Sequence, residues 1–159
     1  MPTETIEVDT ITSVPHPSYP LRKPGWAIVT SATRAYASVG FAASGASPSP
    51  PTVFVTSDLV SRGKPAPDPY LLGAELSGVD PHRCLVVEDA PPGVRAGKAA
   101  GCRVLGLGTT HDKRRMWDAG ADFVCEDLSF VRAEWVEREG EDGGKMLKLM
   151  VTIQGEERP

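Results

Sequence analysis

Glu88 and Asp89 stand side by side directly after the apolar run Cys84-Leu-Val-Val87. Two adjacent carboxylates in such a place are a donor set for a hard cation, since Mg²⁺ is held by one or two carboxylates plus substrate phosphate oxygens and water. A lysine precedes them in Gly63-Lys-Pro-Ala-Pro-Asp-Pro-Tyr70. Its ammonium would act on a phosphate as a point charge, and Pro65, Pro67 and Pro69 fix the backbone of the short segment that aims it. Further upstream, Thr30-Ser31-Ala32-Thr33 offers hydroxyls and backbone N–H groups, which at a helix start form an anion site. Each group also has an ordinary reading. Asp89 would serve as a helix N-cap, Lys64 as a solvated surface lysine, and Ser31 or Thr33 as N-caps. Taken together and in this order, they suit Mg-dependent phosphoryl transfer, in which positioning and charge neutralisation supply most of the catalysis.

Those residues need elements to hold them. Cys84 to Val87 is rich in β-branched residues and bounded by turn formers, which predicts a buried strand. Pro91-Pro92 suits a first helical turn, where a missing N–H costs nothing. Gly93, Ala96, Gly97 and Ala100 give that helix a small face suited to a sheet, and Gly101 stands where the chain leaves it. Arg103 to Leu107 predicts the next strand. Upstream, Trp26 to Thr30 predicts a strand ending at the hydroxyls; a helix follows, then a strand over Thr52 to Val55. Tyr70 to Leu76 and Asp112 to Ala119 read as helices, and Ala121 to Cys125 as the last core strand. Alternation of this kind gives an α/β fold with a parallel sheet, which takes its ligands at the carboxyl ends of its strands. All three candidate groups fall at such an end or in the loop beyond it.

Thr30-Ser31, Lys64 and Glu88-Asp89 resemble the second, third and fourth motifs of the haloacid dehalogenase (HAD) superfamily. The likeness is strongest to the fungal sugar- and polyol-phosphate phosphatases, the 2-deoxyglucose-6-phosphate and glycerol phosphatase group. WAIVTSATR resembles that group's second-motif strand, GKPAPDPYL its lysine motif, and VVEDAPPGVRAGKAAGCRVLGLGTT its metal motif and following helix. The match covers roughly residues 25 to 130. It implies a HAD-type, Rossmann-like three-layer sandwich. It further implies that Ser31, with Thr30 and the Ala32 N–H, grips the transferring phosphoryl group, and that Lys64 neutralises it. Asp89 would bind Mg²⁺, with Glu88 assisting directly or through water. The implied activity is hydrolysis of a phosphomonoester of a small sugar or polyol through an aspartyl-phosphate, with a phosphosugar mutase as the alternative within the superfamily.

One motif has no counterpart. The superfamily's nucleophile is the first aspartate of a D-x-D-G-T pattern upstream of the second motif. The only aspartate before Ser31 is Asp9, followed two residues on by Ile11 and by no glycine. Asp9 is not taken as the nucleophile, and none is assigned. The small helical cap between the first and second motifs has no room either. The chain is therefore expected to be N-terminally incomplete, to lack the first core strand and the cap, and to be inactive as it stands. A non-catalytic protein that keeps a phosphate- or Mg-binding surface is the alternative. Thr5 to Ser13 is β-prone and a candidate for the vacant central position, but Pro15, Pro17, Pro20 and Pro24 favour reading residues 1–24 as a poorly ordered leader. A receiver-like signalling domain, suggested by Val86-Val-Glu-Asp89, fails because such a domain carries its lysine after the acids.

The remainder sets bounds. With 159 residues the chain suits one domain with a real core. We read residues 25–135 as a partial HAD-like core, with a Ser/Pro-rich loop insertion at 42–51. Residues 136–159 read as a charged turn and possible terminal strand, Glu134 to Gly144 being exposed and Lys145 to Ile153 the strand. A net charge of −4 and a pI near 5.4 argue against nucleic acid or an anionic membrane surface as partner. No run reaches the length of a transmembrane helix, and no basic-then-apolar leader opens the chain. Cys84, Cys102 and Cys125 are odd in number and widely spaced, and two lie in or near predicted strands, which predicts buried thiols in a reducing compartment, the cytoplasm, rather than metal ligands. His16, His82 and His111 are scattered. The expected partner is a small phosphorylated metabolite.

Overall fold

A computed structural model describes residues 3–8, 26–47, 50–139, 145–155 and 158. Short aliphatic runs separated by helices pair in parallel, because a crossover helix returns the chain to the same sheet end. Strands β2 (Ile28–Val29) and β3 (Phe54–Val55) pair this way on either side of α1 (Arg34–Ser44). After α2 (Asp68–Ser77), a second parallel sheet follows in the order β4 (Leu85–Glu88), β5 (Arg103–Leu107), β6 (Phe123–Cys125). Its crossovers are α3 (Pro91–Ala99) and α4 (Lys113–Asp118). The strand and helix expectations hold to within a few residues. Both prolines of Pro91-Pro92 sit in the first turn of α3, and Gly101 beyond its end has φ +85°.

Packing explains the small face of α3. A Cβ at Gly97 would stand 2.8 Å from Val104 Cγ2 and 3.2 Å from Val86 Cγ1, so helix and sheet touch through a position only glycine can fill. Val86, Val94, Val104, Met116, Trp117 and Val124 form the core on this side, with Tyr70 of α2 at its margin. The opposite face of the same sheet carries a second cluster of Leu105, Leu107 and Cys125 under Ile6, Val151 and Ile153.

That second cluster corrects two expectations. Thr3–Val8 forms strand β1 rather than part of a loose leader, the rest of residues 1–24 lying outside the described residues; it pairs antiparallel with β8 (Lys145–Gln154), placing Ile6 opposite Val151. Val131–Glu139 forms strand β7, also antiparallel to β8, where the sequence read Glu134 onward as an exposed turn or tail. The resulting sheet, β1-β8-β7, lies over β5 and β6, so strands rather than a helix cover this face. α1 packs on β3, where its Phe41 meets Phe54 edge-on at 6.2 Å. The terminal strand over Lys145 to Ile153 is found. The loop insertion begins later than expected, since α1 continues through Ser44 before Gly45 turns at φ +64°.

β1 does not take a place beside β2 or β4. Among the described residues no ladder joins β2 to β4, and the parallel strands stand as two sheets. Val87, midway along β4, is 44% exposed on the face away from the helices. No helix among the described residues is long and apolar enough to cross a membrane.

Candidate phosphate and metal site

Lys64 lies between the carboxyl ends of the two parallel sheets. Its Nζ donates to the Val29 carbonyl at 3.0 Å, at the end of β2, and forms an ion pair with the Glu88 carboxylate at the end of β4. The lysine is thus aimed, as the proline-rich segment suggested, and the solvated reading fails: its side chain is 12% exposed. Tyr70, from the first turn of α2, donates its hydroxyl to the same Glu88 oxygen, and the Lys64 ammonium sits 4.8 Å from its ring centroid. Burial, then the Glu88 charge, pushes the Tyr70 phenol far above its ordinary pKa, so it stays a donor. Ala90 N–H gives Glu88 Oε2 a longer bond of 3.4 Å.

The carboxyl of Glu88 rests on the first turn of α3. A Cβ at Gly93 would fall 2.0 Å from it, so the glycine is the seat of the carboxylate. Asp89 turns the other way. It is exposed, accepts from the Thr110 hydroxyl at 2.6 Å, and its carbonyl meets His111 Nδ1 at 3.1 Å. The N-cap position of α3 is Ala90, so Asp89 is not the cap. The two adjacent acids therefore divide, Glu88 inward to the lysine and Asp89 outward to the loop after β5.

Thr30 and Ser31 follow β2 directly, Thr30 half-buried and Ser31 exposed. The Ala32 N–H, expected to face a phosphoryl group, donates here to Thr30 Oγ1 at 3.1 Å. Thr33 holds the N-cap position of α1 but makes no side-chain cap bond; the Arg34 N–H is taken by Asp58 at 3.1 Å. Asp9 lies outside the described residues. Sequence reasoning missed Tyr70, Thr110, His111 and Asp58 as working residues. Only Tyr70 carried a signal, in the first turn of the helix that the proline segment starts.

Asp89, exposed at the end of β4, offers hard carboxylate oxygens of the kind Mg²⁺ takes, with the other positions left to water and phosphate oxygens, while the neighbouring Glu88 carboxylate is engaged by Lys64 and Tyr70. Among the described residues no group of three or more potential ligands stands ready to hold a metal unaided. A hard cation held by one or two protein carboxylates fits that set, whereas a closed structural metal site does not.

The profile of the haloacid dehalogenase-like hydrolases matches residues 19–101. Hexitol phosphatase A of Escherichia coli (strain K12) is 45% identical over 106 residues, covering 67% of this chain and 47% of that protein. The 2-deoxyglucose-6-phosphate phosphatase 2 of Saccharomyces cerevisiae is 37% identical over 134 residues, covering 80% and 52%. Among solved structures, a conserved haloacid dehalogenase-like protein of Agrobacterium tumefaciens superposes with a TM-score of 0.58 at 34% identity, over 62% of this chain and 48% of that one. The chain spans about half the length of the curated relatives it matches. With the lysine and the acidic pair at the ends of parallel strands and more than half of the sequence matched, this chain belongs to the haloacid dehalogenase-like hydrolase family.

Proposed function

We propose that this chain carries the phosphate- and cation-binding part of a phosphomonoesterase site for a small phosphorylated sugar or polyol. The observation that carries the reading is Lys64, which bridges the Val29 carbonyl and the Glu88 carboxylate where the second-motif and fourth-motif strands end. An ammonium there would meet the charge of an incoming phosphoryl group, with the Thr30 and Ser31 hydroxyls on the adjoining strand end as its hydrogen-bond partners. Glu88 and Tyr70 hold Lys64 in place. Asp89, from the neighbouring position, would take Mg²⁺, with Glu88 second. When bound, the cation supplies neutralisation of the phosphoryl oxygens. The named relatives are phosphatases of a hexitol phosphate and of 2-deoxyglucose-6-phosphate, which supports the substrate class. A reducing, cytoplasmic setting fits three free cysteines.

The D-x-D-G-T pattern is missing from the sequence, so this chain by itself binds rather than turns over. Titration calorimetry with MgCl₂ and inorganic phosphate tests the site. Saturable binding is expected, with the phosphate response lost in Lys64→Ala and the Mg²⁺ response lost in Asp89→Asn. Unchanged binding in both variants would remove the assignment. Mg-dependent release of phosphate from a sugar phosphate by the purified chain would return Asp9 to the mechanism.

A further inference from the structure

Cys84 and Cys102 meet at the amino-terminal ends of β4 and β5, the end of the sheet opposite the phosphate site. The register pairs Leu85 with Arg103 and Val86 with Val104, and the Arg103 N–H donates to the Cys84 carbonyl at 3.1 Å. Cys84 and Cys102 are thus the next pair of facing positions. In a parallel ladder, facing residues put their side chains on the same side, and both cysteines join Val86 and Val104 in the helix-side core. Neighbouring strands run about 4.8 Å apart, inside the Cα separation of about 4.4–6.8 Å that a disulfide spans. The Cys84 thiol donates to the Asp80 carbonyl at 3.4 Å, in the turn that leads into β4. The exposures of the two cysteines differ: Cys102 is 3% exposed, whereas Cys84 is only half-buried.

We propose that Cys84 and Cys102 form a reversible thiol–disulfide pair oxidised by peroxide, with Cys84 as the attacking thiol and Cys102 as the resolving one. The roles follow from position. Cys84 has solvent access; Cys102 faces it across the ladder and is buried. The neighbouring Cys102 thiol lowers the Cys84 pKa against the effect of burial, while the neighbouring Cys84 and then burial raise that of Cys102. Cys84 sulfur attacks one peroxide oxygen; the S–O bond forms, the O–O bond breaks, and the departing hydroxide is protonated to water. Cys102 sulfur then attacks the sulfenic sulfur, the S–S bond forms, the S–O bond breaks, and the leaving hydroxide takes the Cys102 proton as a second water. The thiols lose two electrons and peroxide gains them. Dithiols of the cytoplasmic kind reverse the bond. The bridge would close a loop that contains Glu88, Asp89 and all of α3, tying the base of the segment that presents the acids.

The purified, reduced chain is exposed to hydrogen peroxide, blocked with iodoacetamide, and digested with trypsin without reductant. Cleavage after Arg83, Arg95, Lys98 and Arg103 puts Cys84 in peptide 84–95 and Cys102 in peptide 99–103. The expected product is the linked pair of these peptides, about 2 Da lighter than their reduced sum and reversed by dithiothreitol. Cys125 remains alkylatable after denaturation, being 1% exposed with its pKa raised by burial. In Cys102→Ser, oxidation stops at a Cys84 sulfenic acid that dimedone traps; in Cys84→Ser, Cys102 stays reduced over the same time. Equal loss of all three thiols, linkage to Cys125, or dimedone labelling of Cys84 at the same level in both the unmodified chain and Cys102→Ser would overturn the proposal.

Discussion

Glu88 is a buried carboxylate, 7% exposed, and a charge in that position is tolerated only when paired and hydrogen-bonded. Lys64 and Tyr70 supply the partners, and Gly93 supplies the room. The glycine gives the sharpest test at this scale. A methyl in Gly93→Ala would overlap the carboxyl, which can swing aside, but only by breaking both bonds and leaving a buried ammonium and phenol without their acceptor. We expect a loss of about 2 kcal/mol in denaturant unfolding, the usual cost of stranding buried polar groups. Gly40→Ala, inside α1 with nothing near its would-be Cβ, should instead gain about 0.5–1 kcal/mol. Similar responses from the two variants would mean that the carboxylate is not seated on Gly93. The lysine and the acids were legible in the sequence because their spacing and flanking prolines and glycines form a pattern. Thr110 and His111 were not, because a single polar residue beyond a strand looks like any loop residue until folding brings it to Asp89.

At the scale of elements, the strand–helix alternation was legible because each parallel strand is a short aliphatic run that announces itself. β7 was not. An antiparallel edge strand with one solvated face carries charge along its length, as exposed Arg132 and Glu134 do, and its identity depends on a partner strand beyond the turn. The loop that carries Lys64 shows another long-range tie. Arg62 clamps Asp68 at the start of α2 with bonds of 3.0 and 2.9 Å, so an ion pair brackets the segment between them. The Arg62 hydrogen bonds hold the Asp68 carboxyl below its ordinary pKa. Between that value and the unfolded one, near 4, the unfolded chain binds more protons than the folded one, so the contribution is full above about pH 4 and fades as pH falls through the folded value. The thermal midpoint should accordingly fall on acidification below about pH 4, and part of that fall should be missing in Asp68→Asn. The difference should shrink in salt, since Arg62 is mostly exposed. Superimposable pH profiles for the two proteins would show that the clamp is idle.

For the molecule as a whole, stability is divided unevenly. Around β5, side chains are buried on both faces of the sheet: Val104, Leu105 and Val124 are wholly inaccessible, and clusters lie above and below. Around β2 the strand ladder is two residues long, Ile28 and Val29 are half-buried, and α1 buries no residue. The resemblance left the central position between the second-motif and fourth-motif strands without an occupant, and among the described residues no ladder joins β2 to β4; that an antiparallel sheet would cover the far face of β5 and β6 depended on contacts between Ile6 and Val151, too remote in sequence to read. Local openings follow local burial. Amides of Val104 to Leu107 should therefore exchange with deuterium at least an order of magnitude more slowly than those of Ile28 to Thr30, each tenfold corresponding to about 1.4 kcal/mol of opening free energy. Lys64 joins the two regions through the Val29 carbonyl and Glu88. Its replacement in Lys64→Met removes the donor to Val29 on one side but leaves β5 its full packing on the other. Exchange should quicken selectively at Ile28 to Thr30 and in the first turn of α1, while Val104 to Leu107 keeps its protection. A uniform acceleration across both sheets would mean that the lysine stabilises one cooperative unit, and that the two sheets open together.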